Sequence, residues 1–191
     1  TSRRQRQMCI RDSSTHIAFY NFGSAGQMEL NNQVGELNVD DVLAPQIFFC
    51  DNSTAVAVRT DGFTVFSGSQ SPKEKKTVKF DQEIISTFHD GNRIGFVFDG
   101  GDSGHKYLMK VYNTGGKNTM QKYFDLQYNS ITLQKDKIVL FNEKEFAIYK
   151  LNGQKTFQGK YRKPIQNVLS IRGFRKYMVI TEDSADLIRL G

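Results

Sequence analysis

One short element recurs along the chain and limits the folds that the sequence can adopt. It consists of an aliphatic or aromatic residue, an aromatic residue and a polar turn with Gly, and its aromatic positions are Tyr20, Phe66, Tyr112 and Tyr149. These positions are 46, 46 and 37 residues apart. Around three of them, two apolar runs precede the element and one follows it. A unit that returns at this spacing predicts a repeat architecture.

The runs within each unit have the pattern of β-strands. They are short, rich in β-branched and aromatic residues, and bounded by Gly, Asn and Asp, as in RIGFVFDG and KYLMKVYN. Asp61-Gly62, Asp90-Gly91 and Asn152-Gly153 place Gly where tight hairpin turns need a positive φ. Four strands per unit are typical of a propeller blade, whereas a two-sheet sandwich does not explain why one turn chemistry returns at a fixed place.

We therefore predict an all-β chain that forms an incomplete β-propeller of four-stranded blades, the C-terminal part of a larger ring. Blades are predicted at 44–83, 84–128 and 129–165, with partial blades at 14–43 and 166–191. A closed propeller has about four to eight blades. Further blades are thus expected upstream, together with a strand that pairs with KYMVITEDSADLIRLG to close the ring.

Residues 1–13 are predicted to be a non-native segment. Arg3–Asp12 can be written as CGT CGG CAG CGT CAG ATG TGT ATA AGA GAC, which resembles a transposase-type sequencing adapter translated in one frame. Without this stretch the formal net charge falls from +6 to +3, and Cys50 is the remaining cysteine. The four arginines therefore do not argue for a polyanionic partner.

Five segments carry a resemblance to a known family, in order from about residue 15 to 190. They are HIAFYNFGSAGQMEL, VLAPQIFFCDNSTAVAVRTDGFTVFS, IISTFHDGNRIGFVFD, KYLMKVYNTGGK and KYMVITEDSADLIRL. Together they resemble the C-terminal half of a bacterial family of membrane-anchored, β-propeller-like proteins with a domain of unknown function. The resemblance implies a basic start and a membrane helix upstream, and a propeller outside the membrane by the positive-inside rule. It implies no catalytic motif.

No catalytic residue is predicted. GGDSGH (100–105) contains the GDSG that surrounds the nucleophile of trypsin-like proteases, but four common loop residues are a weak signal. The mechanism also needs a His base oriented by a buried Asp, and His16 and His89 have no protease-like surroundings. The stretch is predicted to be a hydrophilic hairpin loop, with Ser103 not a nucleophile.

No metal site and no cofactor are predicted either. The spacing of Asp99, Asp102 and His105 fits neither a calcium loop nor a zinc site. The acidic pairs at 40–41 and 182–183 are predicted to lie at solvated edges, and GSAG (23–26) and TGGK (114–117) lack the full pattern of a phosphate-binding loop. Cys50, within the apolar run IFFC, is predicted to be a buried small hydrophobic residue.

Two basic clusters are predicted to lie on outer strands or loops of the blades, where Lys discourages edge pairing. With a net charge of +3 for residues 14–191, the first interpretation is a solvated surface, and weak attraction to anionic lipid or cell-wall polymer is the alternative. Nucleic acid is not expected as a partner, because the aromatic residues occupy core-facing periodic positions. The clusters are Lys73, Lys75, Lys76 and Lys79, and Lys155, Lys160, Arg162 and Lys163.

The function predicted first is a non-catalytic binding or scaffolding module at the bacterial cell envelope, bound to a protein or an envelope polymer. Its predicted location is the cell membrane, with the propeller on the extracytoplasmic side. The alternative is a hydrolase or lyase whose site lies in the central channel, although innermost strands such as ISTFH and SITL offer few inward polar residues. A structural spacer without a partner is the third hypothesis.

Overall fold

The computed structural model describes residues 7–13, 16–21, 33–38, 44, 46–68, 72–171 and 175–190. Within these residues 18 strands form five antiparallel sheets that follow one another along the chain. In every sheet the strands that are neighbours in sequence are also neighbours in space. Each sheet is therefore an up-and-down meander, as expected for a propeller blade.

The chain divides into two compact units. The first comprises Thr1–Ile84, Gly91–Arg93 and Asn113–Lys117, and the second comprises Ile85–Asp90, Ile94–Tyr112 and Asn118–Gly191. Among the residues described, no helix is long and apolar enough to cross a bilayer.

Sheets 1 and 2 come first in the chain. Sheet 1 is made of β1 (Gln7–Ser13), β2 (His16–Asn21) and β3 (Gln33–Asn38). Sheet 2 is made of β4 (Gln46–Phe49), β5 (Thr54–Arg59), β6 (Gly62–Ser67) and β7 (Lys73–Lys79).

Sheets 3, 4 and 5 follow. Sheet 3 is made of β8 (Ser86–Asp90), β9 (Arg93–Asp99), β10 (Tyr107–Asn113) and β11 (Asn118–Phe124), with a short 3-10 helix at Gly101–Ser103 between β9 and β10. Sheet 4 is made of β12 (Ser130–Gln134), β13 (Lys137–Phe141), β14 (Glu145–Lys150) and β15 (Lys155–Lys160). Sheet 5 is made of β16 (Asn167–Ser170), β17 (Lys176–Ile180) and β18 (Ala185–Arg189).

The strand order predicted from the repeat is confirmed in the three four-stranded sheets. The recurring aromatic residue lies on the third strand each time, at Phe66, Tyr112 and Tyr149. Two turns need their Gly: Gly91 has φ 54° and Gly153 has φ 82°.

Part of the segment 1–13, which was predicted to be non-native, is a strand, since β1 pairs antiparallel with β2. The adapter origin of these residues stays a prediction. At the other end, β18 is an edge strand of sheet 5, and a further strand beside it also stays a prediction.

Sheet 4 is held against its neighbours by apolar side chains on both of its faces. On β13, Ile138 and Leu140 join one hydrophobic cluster, while Val139 and Phe141 join another. Successive side chains of a strand point to opposite faces, so sheet 4 is buried on both sides. A continuous apolar run such as KIVLF is what a strand buried on both faces requires.

Among the described residues, this core contains the following clusters of buried side chains. In the first unit one cluster joins sheets 1 and 2, where the rings of Phe19 and Phe66 lie 5.1 Å apart. In the second unit one cluster joins sheets 3 and 4 and contains Phe88, Val97, Met109, Val111, Met120, Phe124, Leu126, Leu133, Ile138, Leu140, Ala147 and Tyr149. The other joins sheets 4 and 5 and contains Val139, Phe141, Phe146, Ile148, Ile165, Val168, Tyr177 and Val179.

Candidate functional site

The loop at 100–105 is the exposed hairpin loop that the sequence predicts. The Ser103 hydroxyl accepts a hydrogen bond from the backbone N–H of His105 at 3.2 Å, so its contact with His105 is to the backbone. The His105 ring instead pairs with Asp125, with Nδ1 2.9 Å from Oδ2, and stacks on Tyr123. The loop is therefore closed by a His–Asp pair and does not form a serine protease triad.

Asp125 was not found by sequence reasoning, because 20 residues separate it from His105. The bond from His105, with that from the backbone N–H of Lys106, holds the pKa of the Asp125 carboxyl below its usual value. Both members of the pair are about half exposed. A pair in such a position is screened by water and shapes the loop more than it stabilises the fold.

The acidic residues of this loop serve the backbone. Asp99 Oδ1 accepts a hydrogen bond from the N–H of Gly101 at 2.8 Å, which is the turn role that Asp commonly has. Asp102 is exposed. Across the described ranges, no group of three or more His, Cys, Asp or Glu side chains could hold a metal ion.

Cys50 follows β4 and is half-buried. Burial, with a smaller contribution from the neighbouring Asp51 charge, raises the pKa of its thiol to about 11. The thiol is therefore protonated near neutral pH, which is unsuited to a nucleophile.

The remaining sequence candidates lie on different sheets or serve in turns. His16 lies on β2 and His89 on β8. TGGK forms the β10–β11 turn, where the side chain of Asn113 accepts bonds from the backbone N–H groups of Gly115 and Lys117. The acidic pair at 40–41 and GSAG at 23–26 lie outside the described residues.

Polar side chains on the first strands of the sheets link one sheet to the next. Ser86 on β8 lies 2.7 Å from the hydroxyl of Tyr128, which precedes sheet 4. At the end of β8, Asp90 Oδ2 accepts a bond of 2.7 Å from the backbone N–H of Lys135. Lys135 lies in the turn between β12 and β13, so this second link also joins sheet 3 to sheet 4.

Gln134, the last residue of β12, makes the same kind of link to sheet 5. Its Nε2 donates to the backbone oxygen of Val168 at 2.9 Å and to Thr132 at 2.8 Å, and its Oε1 accepts from the N–H of Ser170. The amide thus continues the hydrogen bonding of β16 into sheet 4. Sequence reasoning missed these links, since no local pattern marks a bond across 34 residues.

A second set of links lies at the other side of sheets 4 and 5. The hydroxyl of Tyr161 donates to Asp186, and Lys163 bonds both oxygens of Asp183 at 3.1 Å. These bonds hold the pKa values of both carboxyls below their usual range. Two of the predicted solvated-edge and basic residues, Asp183 and Lys163, therefore pair with each other.

The predicted placement of the basic clusters on outer strands is confirmed for β7 and β15, which are edge strands of sheets 2 and 4. Beside β15 lies a groove of about 570 Å³, open to solvent. Its lining residues are Glu145, Lys155, Thr156, Phe157, Gln158, Gly159 and Lys160. This groove is the best candidate for a binding surface, because it joins an unpaired strand edge to two exposed cations.

Comparison with solved structures identifies the fold. Over 95% of its length the chain is similar to 53% of Sqt1 from Saccharomyces cerevisiae, with a TM-score of 0.62 and 11% identity. It is also similar to Hsv2 from Kluyvelomyces marxianus, with a TM-score of 0.60, 10% identity, and coverage of 92% of this chain and 57% of that one. Both are β-propeller proteins, and the chain spans little more than half the length of each. The predicted all-β propeller of four-stranded blades is confirmed.

A third similar structure is a protein of unknown function from Bacteroides caccae, at 13% identity and a TM-score of 0.51. The likeness covers 97% of this chain and 72% of that one. At such identities these likenesses establish the fold alone.

At the level of sequence, no curated protein matches the chain. A family profile matches residues 10–190, and its description is a family of unknown function, DUF5711. This match covers nearly the whole sequence, including every sheet described above apart from the first three residues of β1. The chain therefore belongs to the DUF5711 family.

Proposed function

We propose that this protein is a non-catalytic binding or scaffolding module of the bacterial cell envelope. One observation supports this most directly: the polar side chains of the candidate loop and of the first strands make structural hydrogen bonds. Ser103, His105 and Asp125 shape a loop, while Asp90 and Gln134 join neighbouring sheets. Rigid sheets with exposed edges and loops suit the presentation of a surface.

The location is proposed from the family resemblance. A membrane helix upstream, with a basic segment on its cytoplasmic side, would place the propeller on the extracytoplasmic side. The partner is a protein or an envelope polymer, and nucleic acid is not proposed. The net charge of +3 expected for residues 14–191 suits weak attraction to anionic surfaces.

The test uses the full-length protein in its native membrane. Protease added to intact spheroplasts should digest the propeller, and lysis should not be needed. Photo-crosslinking from surface positions should give discrete partners, and a broad screen of hydrolase and lyase substrates should give no turnover. Turnover that disappears when channel-facing acids are substituted would establish the enzyme alternative and overturn the proposal.

A further inference from the structure

We propose that the open edge of β15 binds an extended acidic segment of a partner protein, which adds to sheet 4 as a fifth strand. The inference rests on the binding function proposed above and names its surface and the chemistry of its partner. Strand addition of this kind draws affinity from backbone hydrogen bonds and specificity from alternate side chains.

The backbone of β15 has the required direction. In an antiparallel pair, residues alternate between those that bond the partner strand and those that face away from it. The N–H of Tyr161 bonds the oxygen of Lys144, and the oxygen of Glu145 is bonded on its other side, by Asn142. Lys160, which lies opposite Glu145, therefore points its backbone groups away from β14.

Two residues further back, Gln158 has the same orientation, since its partner in the register is Ala147. The outward N–H and C=O groups of Gln158 and Lys160 thus form a short template on the outer side of the sheet. Both residues are exposed. Both residues also line the groove of about 570 Å³, together with the rest of β15.

The charges of the groove select the partner. Lys155 and Lys160 stand at the two ends of the strand and are exposed. Glu145 is the single acid among the lining residues, and it lies directly across from Lys160. The Lys155 ammonium is held by Gln158 Oε1 at 2.8 Å, a neutral acceptor that a carboxylate of the partner would replace with a stronger bond.

The same lysines disfavour two other occupants. A second copy of β15 would bring like charges together, which is how edge lysines prevent self-association. An uncharged strand would offer no carboxylate to the two ammonium groups at its ends. An acidic strand, by contrast, pairs with both ends and with the backbone between them.

The test is fluorescence anisotropy with a labelled peptide of about eight residues in which Glu alternates with Val or Thr. The purified chain should bind this peptide. The double substitution K155E/K160E should weaken binding about tenfold or more, because it reverses both end charges. The matched control K73E/K75E reverses two lysines on the edge strand β7 and should leave binding within about twofold.

The backbone step is tested with Gln158→Pro. Because the Gln158 N–H faces away from β14, proline there leaves the β14–β15 ladder intact and removes a donor needed by an added strand. Gln158→Pro should weaken binding about tenfold, whereas Gln158→Ala, which keeps the N–H, should not. Unchanged thermal unfolding of both variants confirms that the fold is retained.

Several outcomes would overturn the inference. These are no binding by the unsubstituted chain, an equal loss in K73E/K75E, or full affinity in Gln158→Pro. Equal competition by inorganic polyphosphate, unaffected by Gln158→Pro, would show recognition of charge alone. If crosslinked partners persist in cells carrying K155E/K160E, the surface is wrong while the proposed function stands. If the peptide binds but no crosslinked partner is found in cells, the surface is right and the proposed function is wrong.

Discussion

Gly95 on the buried strand β9 shows how one neighbour fixes the choice of a residue. A Cβ built at this position would lie 2.1 Å from the ring of Phe88, which is 5% exposed on the adjacent strand β8. The backbone angle does not demand glycine there. The aromatic ring fills the space that a side chain would take, so the pair acts as one packing unit.

Gly95→Ala is therefore expected to destabilise the protein by about 1–3 kcal/mol, since the buried ring must leave its position. Urea denaturation measures the free energy of unfolding. In the double variant Gly95→Ala with Phe88→Leu, the two costs should be clearly less than additive, because the smaller side chain relieves the overlap. Simple additivity would contradict this account of Gly95.

Neighbouring sheets in this fold are joined by side chains that hydrogen-bond backbone groups of the next sheet. Gln134 bonds the backbone of β16 as a neighbouring strand would, and Asp90 bonds the N–H of Lys135 in the corresponding place between sheets 3 and 4. Apolar packing alone allows two sheets to slide. Directed bonds at the ends of the first strands fix their relative position.

Gln134→Leu is expected to cost about 1–3 kcal/mol, because it leaves a backbone donor and a backbone acceptor of β16 without their partner. The amide of Ser170 should also exchange faster with solvent deuterium, which a purely apolar loss would not cause. Gln121→Leu, on the exposed outer strand β11, removes the same group and should change neither measurement. An unchanged Ser170 exchange rate in Gln134→Leu would show that the link is unimportant.

Within the second unit, sheet 4 hides both of its faces. The alternation of Ile138, Val139, Leu140 and Phe141 between two clusters shows this most clearly. At the edges of sheets 4 and 5 the apolar core gives way to bonds made by Asp183 and Asp186. These bonds make part of the acid stability of the unit depend on the carboxyls of Asp183 and Asp186.

The free energy of unfolding is expected to fall at acid pH. Hydrogen bonds from Lys163 and Tyr161 lower the folded-state pKa values of Asp183 and Asp186 below the ordinary 3.8. The unfolded chain therefore binds protons first, so this contribution is complete above that value and is lost as pH falls through the folded-state pKa.

Urea midpoints measured from about pH 7 to pH 2.5 should show this decline. D183N/D186N should flatten it, because two titrating groups are removed. The control D102N/D136N removes two exposed loop carboxyls and should keep the slope of the unsubstituted chain. Equal slopes in all three proteins would contradict the proposed linkage.

The sequence by itself determined the strands of the three four-stranded sheets, their order in each sheet and the class of the fold, but it missed β1. It could predict these features because period-two alternation, buried apolar runs and glycine turns are local signals. In addition, Phe66, Tyr112 and Tyr149 mark the third strand of sheets 2, 3 and 4. The confirmed placement of β7 and β15 at sheet edges follows from the same count.

Only the tertiary structure decided which polar groups meet. The contacts of His105 with Asp125, of Gln134 with Ser170 and of Tyr161 with Asp186 join residues 20, 36 and 25 positions apart. No local pattern encodes such distances, because they depend on the register of β10 with β11 for the first contact and on the placement of sheet 4 against sheet 5 for the other two. The groove along β15 could not be predicted either. Its lysines were identified in the sequence, but the register with β14 decides which backbone groups of β15 point outward.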